Sequence, residues 1–265
     1  MREINIDECH HILLSIASTF DEICKRNQIS YYMIGGTMLG AIRHQGFIPW
    51  DDDMDFGVER QYIPKLLKTL SEELPPHLKV RTIENSNYIF SNYLKIEDIR
   101  TEVIDHWHDS VIEMGISIDI FPLDKGMKSY FRTKCLASYI FLLILINNFL
   151  CLEPKYRKGF KRYIAMILRK VNTLSIQKRL RYIDRIIMKY TAEESDYLIN
   201  YYGRWKAKEI IHKSVFGEPQ SYGFENTTLT GVEDANGYLS SLYGNYMQLP
   251  PEDERSNHLN QMSYR

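Results

Sequence analysis

The stretch Tyr31–Glu59, YYMIGGTMLGAIRHQGFIPWDDDMDFGVE, constrains this chain more than any other. It reads as strand, glycine turn, short helix, loop and acidic strand. Asp51, Asp52, Asp53 and Asp55 fall within five residues between Trp50 and Phe56. Carboxylates so crowded beside apolar side chains repel one another unless water or a cation intervenes. If residues 51–58 are extended, the period of two sets Asp51, Asp53 and Asp55 on one face, with Asp52, Met54 and Phe56 on the other. Two carboxylates two residues apart can share a metal. Hard oxygen donors on a rigid strand suit Mg²⁺, or Mn²⁺, which keeps part of its shell for water and substrate phosphate.

The phosphate side of such a site is also present. Residues 29–34 read as a strand, and Gly35 and Gly36 allow close backbone approach to a ligand. Thr37 is expected to cap a helix running to about His44, and a helix N-terminus beside glycines attracts phosphate. Arg43 and His44, at the far end, have two readings: contacts to a phosphate or leaving group, or basic residues favoured by the helix dipole.

With 265 residues, 44% hydrophobic and 25% charged, the chain is long enough to bury a substantial core. A net charge of −1 argues against bulk attraction to nucleic acid. Cys9, Cys24, Cys135 and Cys151 are too widely spaced for a zinc knuckle, and the N-terminal MREINIDECH lacks the pattern of a signal peptide. Reduced, cytosolic thiols are expected. Ile12, Leu13, Ile16, Ala17, Phe20 and Ile23 recur at helical spacing from Ile6 to about Lys25. His10 and His11 on this helix are expected to be solvated or capping residues.

Residues 61–74 read as an amphipathic helix stopped by Pro75 and Pro76, followed by short strands at 78–83, 88–96 and 101–104. Lys95 is either a phosphate contact or a surface lysine. In GISIDIFPLD, Ile116, Ile118 and Ile120 alternate with Ser117, Asp119 and Phe121. An acid on such a strand needs a cation or an ion-pair partner, so Asp119 is the expected third acid of the site. Asp124 is expected to cap the next turn.

After Lys125 the composition changes. Residues 136–152 are rich in Leu, Ile and Phe, but the uninterrupted apolar run Tyr139–Ile146 is eight residues. That is short of the roughly 20 a membrane-spanning helix needs. From Lys155 to Lys189 there are twelve Lys or Arg and one acid, Asp184, interleaved with apolar residues. A basic amphipathic helix pair of this kind suits an anionic membrane surface, or else is a bundle with a solvated basic face. It carries no helix-turn-helix, glycine-rich or zinc pattern, so no nucleic-acid partner is expected.

The string LGAIRHQGFIPWDDDMD resembles the LicD-type phosphocholine transferases, related to the fukutin group within the nucleotidyltransferase-fold superfamily. A second resemblance lies in FEN at Phe224–Asn226 and in GYLSSLYGNYMQLPPEDERSNH, although Asn245 stands where the family has Asp. The resemblance implies an α/β fold with a nucleotidyltransferase-like mixed sheet flanked by helices (1–125), an added basic helical region (126–200) and a C-terminal segment completing the site (201–265). It implies a metal held by Asp53, Asp55 and Asp119, with Asp51 or Asp119 as proton acceptor. Gly35, Gly36, Thr37, Arg43, His44, Lys95, Glu225, Arg255 and His258 are the implied substrate contacts. The implied reaction moves phosphocholine from CDP-choline to a sugar hydroxyl of a lipid-linked glycan precursor of the teichoic acid, lipopolysaccharide or capsule type, releasing CMP. Such a protein is expected in the cytoplasm, in peripheral contact with the inner face of the cytoplasmic membrane. The alternatives are a CDP-linked ribitol or glycerol phosphate donor, nucleotidyl transfer from a triphosphate, or a non-catalytic membrane-bound scaffold.

Overall fold

The computed structural model describes residues 2–86, 92–105, 112–151, 159–191, 195–255 and 261–265. The helices are α1 (Ile6–Arg26), α2 (Gly35–Arg43), α3 (Ile63–Glu73), α4 (Tyr130–Cys151), α5 (Phe160–Val171), α6 (Ile176–Tyr190), α7 (Lys213–Phe216) and α8 (Ala235–Tyr243). The strands are β1 (Tyr32–Met33), β2 (Asp55–Glu59), β3 (Leu78–Arg81), β4 (Leu94–Asp105), β5 (Ile112–Lys125), β6 (Tyr197–Ile199), β7 (Ile210–His212), β8 (Gln220–Phe224), β9 (Thr227–Gly231) and β10 (Gln261–Tyr264).

The mixed sheet runs in the order β1-β2-β5-β4-β10, with β3 pairing β4, and β6 pairing both β5 and β7. β8 and β9 form a separate hairpin. The pairing that matters most is β2 with β5, the parallel neighbours; every other pair is antiparallel. α1 starts in a capping box, Asn5 accepting from the Glu8 amide at 2.9 Å while Glu8 returns a bond to the Asn5 amide. Its buried stripe of Leu13, Ile16, Ala17, Phe20 and Ile23 joins Phe56 and Ile118 in the main core. Phe20, Tyr31 and Phe56 meet there at centroid distances of 4.9, 5.2 and 5.6 Å.

Several sequence expectations are changed by long-range contacts. The acidic strand starts only at Asp55, because residues 51–54 follow the turn in which the Asp51 amide bonds the Ile48 carbonyl. The separate strands expected at 88–96 and 101–104 are parts of β4 where described, residues 88–91 lying outside the described residues; the register shifts between Asp98 and Val103. Gly115 sits opposite that shift, and a Cβ there would lie 2.2 Å from the Asp98 carbonyl oxygen. Residues Gln261–Tyr264 form β10 along β4, and the amides of Ile4 and Tyr264 bond the carbonyls of Met262 and Arg2 across the chain ends.

α4 is one 22-residue helix, long and apolar enough to cross a membrane by length and composition, so the short apolar run does not bound it. One side of α4 packs Leu136, Ala137 and Ile140 against Leu180, Ile183 and Ile187 of α6, over Ile199 and Ile210. Arg179 of α6 donates to Asn147 Oδ1 at 2.9 Å across the same contact. Asp124 is not a turn cap. It is 1% exposed and pairs with Arg60, which also reaches Asp184 of α6 at 2.8 Å.

Candidate active site

Two acid-bearing segments and a lysine converge through the registers of neighbouring strands. On the parallel pair β2–β5, Asp55 is the Cα partner of Asp119, and on the antiparallel pair β4–β5 the partner of Asp119 is Lys95. Asp51, Asp53, Asp55 and Asp119 line a cavity of about 880 Å³. Lys95 and Asp119 form an ion pair, neither more than one-fifth exposed. Lys95 is thus tied to a carboxylate, with its ammonium 5.3 Å from the centre of the Tyr93 ring.

The glycine pair makes room for the acids. Gly35 takes φ +54°, and a Cβ there would lie 3.1 Å from Asp55 Oδ2; one at Gly36 would lie 2.7 Å from Asp51 Oδ2. The Gly35 amide donates to Tyr238 Oη at 3.1 Å. Thr37 is not the helix cap expected from the sequence: α2 begins two residues earlier, after Ile34, and Thr37 Oγ1 accepts the Asp55 amide at 2.7 Å. That bond pins the start of the acidic strand to the helix. His10 is neither solvated nor a cap; its Nε2 donates to the Asp51 carbonyl at 2.7 Å and its ring stacks on Phe47 at 4.1 Å.

Crowding raises the acids' proton affinity. Burial, then Asp53 and Asp52, push Asp51 up to about 8, against the pull of Arg204. Burial, then Asp53, Asp119 and Asp51, hold Asp55 well above the carboxylate range. Asp119 is raised by burial, with Lys95 opposing. Among the described residues no three His, Cys, Asp or Glu side chains form a ready-made metal centre. The carboxylates share a cavity rather than a coordination sphere. Their chemistry still fits a hard divalent cation, because oxygen donors with mutually raised proton affinity are what such an ion relieves.

The remaining expected residues divide. Arg43 lines the cavity, where its guanidinium donates to the Tyr246 carbonyl at 2.9 Å. His44 lies edge-on to Trp50 at 6.2 Å, its pKa lowered by burial and then by Arg43. Arg255 stacks over Trp50 at 5.2 Å, and Trp50 lines the cavity. Glu225 instead braces the loop before the acids: its Oε1 accepts the Phe47 amide at 3.0 Å and its own amide bonds the Gln45 carbonyl. His258 lies outside the described residues. Sequence reasoning missed the wall made by Asn200, Tyr202, Arg204, Trp205, Glu209 and Tyr243. Its only sequence signal was an aromatic-rich composition, which carries no position.

A glycine-opened helix, acids at Asp53 and Asp55, and a third acid on the parallel neighbour thus meet at one cavity on a mixed α/β sheet. Residues 28–137 match the family model described as LicD/FKTN/FKRP, nucleotidyltransferase domain. The whole chain aligns with the lipopolysaccharide cholinephosphotransferase LicD of Haemophilus influenzae, 28% identical over 278 residues, covering 100% of this chain and 99% of that protein. A stretch of 37 residues is 54% identical to an uncharacterised protein of Rickettsia prowazekii, 14% of each chain.

Proposed function

We propose that this protein is a cholinephosphotransferase that moves phosphocholine from CDP-choline to a sugar hydroxyl of a lipopolysaccharide precursor, releasing CMP. The observation that carries the reading is the convergence of Asp51, Asp53, Asp55 and Asp119 on one cavity, in a chain aligned end to end with LicD. Asp53, Asp55 and Asp119 would hold Mg²⁺. When bound, the ion neutralises charge on the diphosphate and polarises the phosphorus under attack.

The chain's own groups supply the rest. Lys95 orients Asp119 and limits repulsion among the acids. Arg43 and Arg204 both line the cavity, and in this reading they meet phosphate oxygens. The acceptor hydroxyl attacks the phosphocholine phosphorus, its proton passes to a carboxylate, Asp51 in this reading, and the CMP phosphate leaves. In this reading the protein works peripherally at the cytoplasmic membrane, where a lipid-linked acceptor is presented.

The test is CMP release from CDP-choline with lipopolysaccharide precursor, with and without Mg²⁺, beside CDP-ribitol, CDP-glycerol and CTP. Asp53→Asn is expected to remain folded and to lose about 10³-fold in kcat, as loss of a charge-stabilising group does. Wild-type activity in that variant, or turnover of CTP with pyrophosphate release and none of CDP-choline, overturns the reading.

A further inference from the structure

Part of the cavity wall is aromatic and carries a carboxylate the reaction above leaves unused. Trp205 and Tyr243 meet edge to face with centroids 5.0 Å apart, and Tyr202, Tyr238 and Tyr246 line the same cavity. Glu209 lines it too and is 5% exposed. Among the described residues its one hydrogen bond is from the Trp205 amide, 3.3 Å from Oε1, and no Lys, Arg or His forms an ion pair with it. Lys208 reaches over the Trp205 ring at 5.5 Å but is anchored on the Leu242 carbonyl at 2.8 Å. Gly203 lets the carboxylate press against the backbone, where a Cβ would lie 2.3 Å from Oε1.

A buried carboxylate without a cation is costly, and aromatic faces beside it attract a poorly hydrated cation. We infer that Glu209, Trp205 and Tyr243 form the subsite for the cationic head of the transferred group, a quaternary ammonium. The subsite rests on the cholinephosphotransferase reading and sets donor specificity within it. A neutral polyol can hydrogen-bond a buried carboxylate but carries no charge for it or for the ring faces to attract, whereas a trimethylammonium group is attracted by both.

The experiment is calorimetric titration of choline, CDP-choline, CDP-glycerol and CMP into wild type and Glu209→Gln, each checked by thermal unfolding. Choline and CDP-choline are expected to bind at least 10-fold more weakly to the variant, with CMP unchanged. Equal choline binding by both proteins, parallel losses for CDP-choline and CMP, or no choline binding by wild type overturns the subsite. If wild type binds choline and the variant does not, while no cytidine nucleotide binds either, the subsite stands and the reaction reading fails.

A second observation stands apart from the cavity. Of the sixteen large apolar side chains exposed among the described residues, fourteen lie between Tyr130 and Tyr190. On α5, Phe160, Tyr163 and Ile167 share one face at 77, 64 and 63% exposure, while Lys161, Arg162 and Lys170 are also exposed. α4 adds Leu142, Leu145 and Ile146, opposite the side that packs on α6. Apolar exposure on this scale marks a docking surface, and its basic surround selects an anionic partner. We propose that this face lies in the interface of an anionic lipid bilayer. Flotation of wild type with phosphatidylglycerol vesicles, but not with phosphatidylcholine vesicles, is the expected result. The triple variant Phe160→Ser, Tyr163→Ser, Ile167→Ser is expected to float at least 10-fold less. Absence of flotation, or a dimer in light scattering that the variant abolishes, overturns the proposal, the dimer assigning the face to a second copy.

Discussion

Gly36 shows how much of the site depends on an absent side chain. Its α-carbon lies where a methyl would stand 2.7 Å from Asp51 Oδ2, so Gly36→Ala displaces that carboxylate rather than unfolding α2. The expected outcome is a fall of at least about 10-fold in kcat/KM, with the thermal midpoint little changed, because a flexible carboxylate yields more cheaply than backbone. Glu209 carries a pH signature. Burial pushes its carboxyl up from 4.5 to about 7, the Trp205 amide opposing. The folded state therefore binds this proton more tightly than the unfolded state. Its contribution to stability is full below pH 4.5 and is lost as pH rises to about 7. Glu209→Gln removes that loss, so its advantage in urea unfolding should grow across this window to about 3 kcal/mol and then stay level. A constant difference between the two proteins from pH 4.5 to 8 contradicts the assignment. The glycine pair and the acids were legible as chemistry in the sequence. Glu209 was not, since its environment is assembled from α8 and the turn after β6.

At the scale of elements, the most informative junction is Arg60 between β5 and α6. Its guanidinium takes both Asp124 oxygens and also Asp184, so one side chain ties the end of the central strand to the basic helices. Asp124→Ala leaves Asp184 as the remaining carboxylate partner of a mostly buried cation, and the expected loss is about 2–3 kcal/mol in chemical denaturation, below that of a fully stranded charge. Asp124→Asn, which keeps one acceptor, should lose less. Strand β5 was readable from its alternating isoleucines, and α1 from its 3.6-residue apolar period. The length of α4 was not, because Asn147 and Asn148 interrupt its apolar run without interrupting the helix. Asn147 finds a partner in Arg179, a contact 32 residues distant.

For the whole molecule, the two chain ends are knitted together. β10 pairs with β4, Met262 is 6% exposed, and the amides of Ile4 and Tyr264 bond the carbonyls of Met262 and Arg2. Deleting residues 261–265 removes an edge strand and uncovers part of β4. It should lower the thermal midpoint by at least about 5 °C, from the loss of a buried Met and its backbone pairing. An unchanged midpoint would mean the tail is dispensable to the sheet.

The sequence by itself determined the local chemistry: a strand, a glycine turn and a crowded run of aspartates, then an isoleucine strand bearing one acid. Backbone periodicity and the steric freedom of glycine act over a few residues, so they are written in the order of residues. Only the tertiary structure decided which groups meet. Asp55 faces Asp119 through a parallel register 64 residues apart, and Lys95 reaches Asp119 across the next strand. The aromatic wall comes from residues beyond 200. Register and packing depend on the whole buried core choosing one arrangement, and no window of local sequence contains that choice.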